Sequence, residues 1–115
     1  MKISITGANS SVGINLLSHL SQKDGIATTA GVRSESAFES LPQSASIKPA
    51  IIAYDDPESL HQALAGADCL IHLAGILIEN KNSTYASANV AATAAAVKAA
   101  QDCNVNHIIF ISVVG

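Results

Sequence analysis

A strand, a glycine-bounded turn and a helix follow one another near the start of the chain, and this order constrains the fold most. The run Lys2–Thr6 is rich in β-branched residues, and it leads into a turn that Gly7 opens and Gly13 closes. Apolar residues then recur at helical spacing from Val12 to Leu20. This order is typical of α/β folds in which N–H groups at the helix N-terminus face a diphosphate.

The glycine turn departs from each of its two common spacings at one position. The spacing Gly-x-x-Gly-x-x-Gly places Ser10 where the middle glycine belongs, and the spacing Gly-x-x-x-Gly-x-Gly places Ser11 there. A glycine at that position lets the backbone approach a pyrophosphate without a Cβ in the way. A serine hydroxyl can instead bind a phosphate, or it can do no more than cap the helix. Both alternatives stay open at this point.

Strand and helix patterns alternate along the whole chain. The predicted strands cover about residues 2–6, 27–32, 47–54, 68–73 and 107–112. The predicted helices cover about residues 11–23, 35–41, 57–66 and 83–102, with a loop over about 75–82. This alternation predicts one α/β domain over residues 1–115, a doubly wound parallel (Rossmann) sheet with strand order 3-2-1-4-5.

Composition excludes several classes of function. The 115 residues are 49% hydrophobic and 13% charged, which is enough for one packed core. A net charge of −3 without a basic cluster argues against nucleic-acid binding. No apolar run approaches the roughly 20 residues that span a membrane. We expect no signal peptide, because the first strand begins at about residue 2.

The cysteines and histidines show no metal-binding spacing. Cys69 and Cys103 lie in apolar surroundings, and we expect both to be buried free thiols, as suits a reducing cytoplasm. The four histidines are scattered along the chain. The sequence therefore predicts no metal site.

Five segments, each on its expected element, resemble motifs of the short-chain dehydrogenase/reductase superfamily. They are Thr6–Gly13, Tyr54–Leu60, His72–Gly75, Asn89–Thr93 and Phe110–Ser112. The chain is most similar to the extended and atypical branches, which include sugar-nucleotide epimerases and NmrA-like NAD(P)-binding proteins. The resemblance covers essentially the whole chain. It implies the N-terminal, cofactor-binding part of an epimerase or reductase; the alternatives are a non-catalytic dinucleotide sensor or a protein-interaction module.

The resemblance also implies roles for individual residues. Arg33 lies at the end of the second predicted strand, where an acid would bind the ribose 2′-hydroxyl of NAD. An arginine there suits the 2′-phosphate of NADP, so NADP is the expected cofactor and NAD the second choice, with Ser34 assisting. Ala74 and Gly75 are expected beside the nicotinamide ribose. The residues expected around the diphosphate are Gly7, Asn9, Ser10, Ser11, Val12 and Gly13.

Departures from the family pattern limit what the resemblance implies. Ala53 stands where the family usually has an aspartate that contacts adenine, so Tyr54 or Asp55 is expected to take that role. Val113 and Val114 occupy the positions where the family has its catalytic hydroxyl. The family's Tyr-x-x-x-Lys pair, which transfers a proton, does not occur among these residues. We therefore assign no catalytic residue and expect this chain alone to have no turnover.

The last helix and the last strand predict self-association. The helix carries an alanine-rich face from Ala88 to Ala99 that either packs on its own sheet or also meets a partner. The strand His107–Ser112 contains Ile and Phe but no Pro, Lys or Glu to protect an edge. We expect a homo-oligomer joined through this flank.

Overall fold

Five parallel strands form one sheet in the order β3-β2-β1-β4-β5, as predicted from the sequence. The computed structural model describes residues 1–74 and 83–112, with side chains for 1–73 and 91–111. The strands are β1 (Lys2–Thr6), β2 (Ala27–Val32), β3 (Ile47–Ile51), β4 (Cys69–Ala74) and β5 (His107–Ser112). The helices are α1 (Ser11–Leu20), α2 (Pro57–Leu64), α3 (Ser83–Asp102) and a short 3-10 helix, Glu35–Ser40.

Strand register brings three residues to one level at the carboxyl edge of the sheet. Thr6, the last residue of β1, is paired with Gly31 on β2 and with His72 on β4. The turn after β1 begins at this level. In open parallel sheets, ligands bind outside the carboxyl ends of the strands where the strand order reverses, which here lies between β1 and β4.

The two faces of the sheet are covered by different helices. Ile3 and Ile5 of β1 pack with Leu17 of α1 on one face. On the other face, Leu70 of β4 packs with Leu64 of α2 and with α3. The side chains of Ile5, Leu17, Leu64 and Leu70 are almost completely buried, and each contributes about 1.5–3 kcal/mol of hydrophobic free energy.

Side-chain caps set the starts of two helices. Ser10 Oγ accepts a hydrogen bond from the Gly13 N–H at 3.0 Å and begins α1. Asp56 Oδ1 accepts from the Glu58 N–H at 3.2 Å, and Pro57 stands at the first position of α2. Both starts follow from preferences that the sequence displays.

Two predicted boundaries are wrong by a few residues. The first helix ends at Leu20 rather than Lys23, because the amides of Gln22 and Lys23 bond three residues back and form tight turns. The third strand ends at Ile51 rather than near residue 54. The chain after β3 then turns towards α2, and the Ala53 N–H donates a hydrogen bond to Ser59 Oγ of that helix at 3.0 Å.

The alanines of α3 serve the core of the chain itself. Ala96, Ala99 and Ala100 are buried against the sheet and α2, Ala92 is also buried, and Ala94 is exposed. The helix therefore packs closely on its own sheet, which is one of the two alternatives that the sequence left open. The buried alanines are not available to a partner. Ala88 lies outside the described side chains.

The thiols differ from expectation, since Cys69 and Cys103 are only partly buried. Burial raises the pKa of both thiols, and the charge of Asp102 adds to the effect at Cys103. Within residues 1–74 and 83–112, no group of His, Cys, Asp or Glu side chains is arranged to hold a metal ion. No helix in the same ranges is long and apolar enough to cross a membrane.

Candidate functional site

Gly7 opens the turn after β1 in a conformation that favours glycine. Its φ angle is +71°, and a Cβ built on it would stand 3.1 Å from the Leu73 carbonyl oxygen. The chain then turns tightly, because the Ser10 N–H donates to the Gly7 carbonyl at 3.2 Å. The N-terminus of α1 therefore lies at the carboxyl edge of the sheet, where the first N–H groups of the helix have no carbonyl partner within it.

Gly13 brings α1 against the turn. A Cβ on Gly13 would lie 2.4 Å from the Ala8 carbonyl oxygen, a distance that no side chain accommodates. This glycine is needed for close contact between backbones rather than for an unusual φ angle. The turn thus needs its two bounding glycines for different steric reasons, Gly7 for its φ angle and Gly13 for the close contact with Ala8.

A cavity of about 140 Å³ lies between this turn and the end of β2. Gly7 and Asn9 line it from the turn, and Arg33 and Ser34 line it from the residues that follow β2. Tyr54 contributes a further wall. The structure therefore brings together residues from three segments that the sequence proposed separately.

A second, larger cavity of about 620 Å³ shares Arg33 and Tyr54 with the first. Ala53 and Asp55 line it from the segment after β3, and Ala92 lines it from α3. Most of its wall is apolar, which suits a flat aromatic group such as a nucleobase. Ala53 contributes no side-chain hydrogen bond there, so the polar groups on this side come from Tyr54 and Asp55.

Arg33 and Tyr54 are in direct contact where the two cavities meet. The Arg33 Cζ lies 5.1 Å from the centroid of the Tyr54 ring, within the range of a cation–π interaction. Arg33 is exposed, and it forms no ion pair with any carboxylate in residues 1–74 and 83–112. Burial raises the pKa of Tyr54, although the Thr6 side chain and the Arg33 charge act in the opposite direction.

His72 forms a buried polar chain beneath Tyr54 that the sequence analysis did not predict. Its Nδ1 lies 2.6 Å from Thr6 Oγ1, and its Nε2 lies 3.1 Å from Thr93 Oγ1. Its ring meets Tyr54 edge to face, with centroids 6.1 Å apart. Burial lowers the pKa of His72 and favours the neutral ring, which donates from one nitrogen and accepts at the other.

A signal for this chain of contacts was present in the sequence. His72 interrupts an otherwise apolar strand, and a buried histidine needs a hydrogen-bond partner for each ring nitrogen. Thr6 ends the neighbouring strand at the same level, and Thr93 is one of few polar residues in the middle of α3. The sequence did not show that these residues meet, because this depends on the register between β1 and β4, which places Thr6 beside His72.

The remaining predicted site residues lie near the first cavity or outside the described part of the chain. Ser10 caps α1, Ser11 begins the helix with its side chain exposed, and Val12 packs towards the core on the α1 face. The Ala74 side chain and the whole of Gly75 lie outside the described residues, so the predicted nicotinamide side of the site is not described.

Comparison with protein families identifies the domain. Residues 7–115 match the family described as NAD(P)H-binding. The chain belongs to this family. The match covers the glycine turn, the walls of both cavities and strands β2 to β5, and it confirms the NAD(P)-binding Rossmann domain implied by the sequence resemblance.

Relatives of this domain include oxidoreductases. The 4-hydroxy-2-methyl-3-oxo-4-farnesyl-3,4-dihydroquinoline-1-oxide ketoreductase of Stigmatella aurantiaca is 31% identical over 113 residues, which are 97% of this chain and 33% of the relative. The oxidoreductase ylbE of Lactococcus lactis is 28% identical with a TM-score of 0.74, over 96% of this chain and 47% of that one. Triphenylmethane reductase of Citrobacter sp. in complex with NADP(H) is 30% identical with a TM-score of 0.74, over 94% and 36%.

The chain thus spans between a third and a half of the length of these proteins. All three align with nearly the whole of this chain. The shared part is the NAD(P)-binding domain, which confirms the predicted similarity to the short-chain dehydrogenase/reductase group.

Proposed function

We propose that this domain binds NADP(H) in preference to NAD(H) and supplies the cofactor site of a reductase. The observation that carries the proposal is the 140 Å³ cavity, which joins the glycine turn at Gly7 and Asn9 to Arg33 and Ser34. A dinucleotide with a 2′-phosphate needs backbone N–H donors for its diphosphate and a cation beside its adenosine ribose. Arg33 would supply the cation, and the N–H groups that follow Gly7 and Asn9 at the start of α1 would supply the donors.

We assign each part of the adenosine half of the cofactor to different described residues. The N–H groups at the start of α1 would hold the diphosphate, with the Ser10 hydroxyl beside them. Arg33 would bind the 2′-phosphate, assisted by the Ser34 hydroxyl. The adenine would enter the larger cavity against Tyr54, near Asp55. Ala74 and Gly75 are proposed for the nicotinamide ribose on the sequence resemblance.

Hydride transfer is the activity that we propose for the whole protein. A bound nicotinamide supplies or accepts the hydride, and the protein orients it. Support comes from two relatives, a ketoreductase and a triphenylmethane reductase solved with NADP(H). A sugar-nucleotide epimerase is the alternative that the sequence resemblance implies. We propose a cytoplasmic location, supported by two free thiols.

Cofactor titration with an arginine variant tests the proposal. Replacing Arg33 with Ala is expected to weaken NADPH binding by roughly 1–3 kcal/mol, because a charged contact to phosphate is lost. NADH binding should change little. Nicotinamide fluorescence measures both affinities, and Lys48→Ala, an exposed cation on β3 away from both cavities, is the matched control. Equal losses for NADPH and NADH would refute the preference.

We further propose that the chain self-associates through the β5 edge. Ile109 and Phe110 are 47% and 52% exposed, unusually high for large apolar side chains in a strand. Within the described residues, β5 pairs with β4 alone, so its other edge presents unpaired backbone groups. Unprotected apolar edges of this kind promote association between chains.

A further inference from the structure

We infer that Tyr54 is a positioning residue that sets the selectivity for the 2′-phosphate by holding the Arg33 guanidinium in place. This inference rests on the proposed binding of NADP(H). Arg33 lies directly after β2, and Tyr54 lies in the segment after β3. The two side chains meet with the Arg33 Cζ 5.1 Å from the ring centroid.

The contact leaves the binding groups of the guanidinium available. A carboxylate partner would occupy the in-plane N–H donors and neutralise the charge that a phosphate needs. A contact of the guanidinium with the face of an aromatic ring neutralises no charge and uses no carboxylate, so the N–H groups remain available for bonds to a phosphate. Among the described residues, no carboxylate is paired with Arg33.

The Tyr54 ring is supported by a buried side chain. Tyr54 meets His72 edge to face at an interplanar angle of 89°. His72 is 2% exposed, and its two ring nitrogens contact Thr6 and Thr93. Arg33, by contrast, is exposed and has a long flexible side chain. Because Tyr54 contacts both the buried His72 and Arg33, it limits the orientations of the arginine and lowers the entropy lost when a phosphate binds.

The position of the pair fits this role. Arg33 and Tyr54 line both the small cavity near the glycine turn and the large cavity beside α3. A 2′-phosphate joins the ribose between diphosphate and adenine, so it would lie where the two cavities meet. A residue that only walled the adenine would affect NADPH and NADH equally. A residue that acts through Arg33 would affect NADPH more.

The test is a set of affinities for NADPH and NADH, measured on the full chain by nicotinamide fluorescence. Tyr54→Leu removes the ring and is expected to weaken NADPH binding about threefold to tenfold more than NADH binding. Tyr54→Phe keeps the ring and should retain the wild-type selectivity within about twofold. In an Arg33→Ala background, Tyr54→Leu should change both affinities by the same factor.

A second variant keeps the inference testable if Tyr54→Leu does not fold. Arg33→Lys retains the charge at an exposed position but lacks the planar guanidinium that contacts the ring. This variant should therefore also lose selectivity for NADPH over NADH. The inference is overturned if Tyr54→Leu weakens both cofactors equally, or if Arg33→Lys keeps full selectivity. Failure of the wild-type chain to bind either cofactor would instead overturn the proposed function, and the inference with it.

Discussion

Thr6 Oγ1 lies 2.6 Å from His72 Nδ1 at the carboxyl ends of the adjacent strands β1 and β4. The other ring nitrogen contacts Thr93, so one buried histidine links the strand that leads into the glycine turn to helix α3. The same ring supports Tyr54, which contacts Arg33. Thr6, His72 and Thr93 thus form one hydrogen-bonded network, and removal of Thr6 or His72 leaves a buried partner unsatisfied.

The burial of His72 predicts a loss of stability in mild acid. Burial lowers the folded-state pKa of His72, so below about pH 6.5 the unfolded chain binds a proton that the folded chain does not. The free energy of unfolding should therefore fall as the pH drops through about 6.5, and this loss should stop below the folded-state pKa. Urea unfolding between about pH 7.5 and 5.5 measures the effect.

The control separates His72 from the exposed histidines. His72→Gln removes the titrating group, so the free energy of unfolding should depend less on pH in this range. The variant also lowers stability at every pH. His19→Gln changes an exposed residue of α1 and should retain the slope of the wild type. A His72→Gln slope equal to that of the wild type would show that other groups cause the dependence.

Gly13→Ala is expected to destabilise the fold severely. The added methyl group would lie 2.4 Å from the Ala8 carbonyl oxygen, and the atoms in conflict belong to two backbones that cannot move independently. We expect a loss of about 3 kcal/mol or more in the free energy of unfolding. Asn15→Ala, an exposed position on the same helix, should stay within about 0.5 kcal/mol. A loss below about 1 kcal/mol for Gly13→Ala would mean that α1 can shift freely.

Local chemistry made most of the fold predictable from the sequence. The cap at Asp56 with Pro57 marks the start of α2, and the alternation of short apolar runs with helical patterns gives the strand order once right-handed crossovers are assumed. The errors occur where local preference and tertiary context differ. Lys23 carries no signal that the helix has ended, and the strand ending at Ile51 continues into residues of high strand propensity.

The candidate site was predictable as separate residues but not as an arrangement. The resemblance indicated Arg33, at the end of the second predicted strand, and Tyr54. The cation–π contact between them depends on where β2 and β3 end relative to each other, and no local sequence pattern encodes this. The link from Thr6 through His72 to Thr93 likewise joins residues far apart in the sequence.

Ser10 provides a test of cap against phosphate ligand. Its hydroxyl already accepts from the Gly13 N–H, so Ser10→Ala should cost about 1 kcal/mol of stability and Ser10→Gly only a few tenths. If the hydroxyl also contacts the diphosphate, both variants should weaken NADPH and NADH binding by similar factors, because both cofactors share that group. Affinities come from fluorescence titration, with the exposed Ser40→Ala as control.

Two outcomes of the Ser10 experiment are informative. Unchanged affinity in Ser10→Gly would show that the hydroxyl is only a cap. Tighter binding in Ser10→Gly would show that the Cβ of Ser10 obstructs the backbone, since this variant restores the middle glycine of the common Gly-x-x-Gly-x-x-Gly spacing.

Self-association should depend on β5 rather than on the opposite edge of the sheet. The chain has an exposed isoleucine on each edge strand, Ile109 on β5 at 47% and Ile51 on β3 at 49%, so the two positions form a matched pair. We expect sedimentation at about 100 μM to show a species heavier than the monomer. Ile109→Lys should disperse it, because a charge on the apolar edge opposes pairing, whereas Ile51→Lys should not. A wild-type monomer at this concentration, or dispersal by Ile51→Lys alone, would contradict an interface at β5.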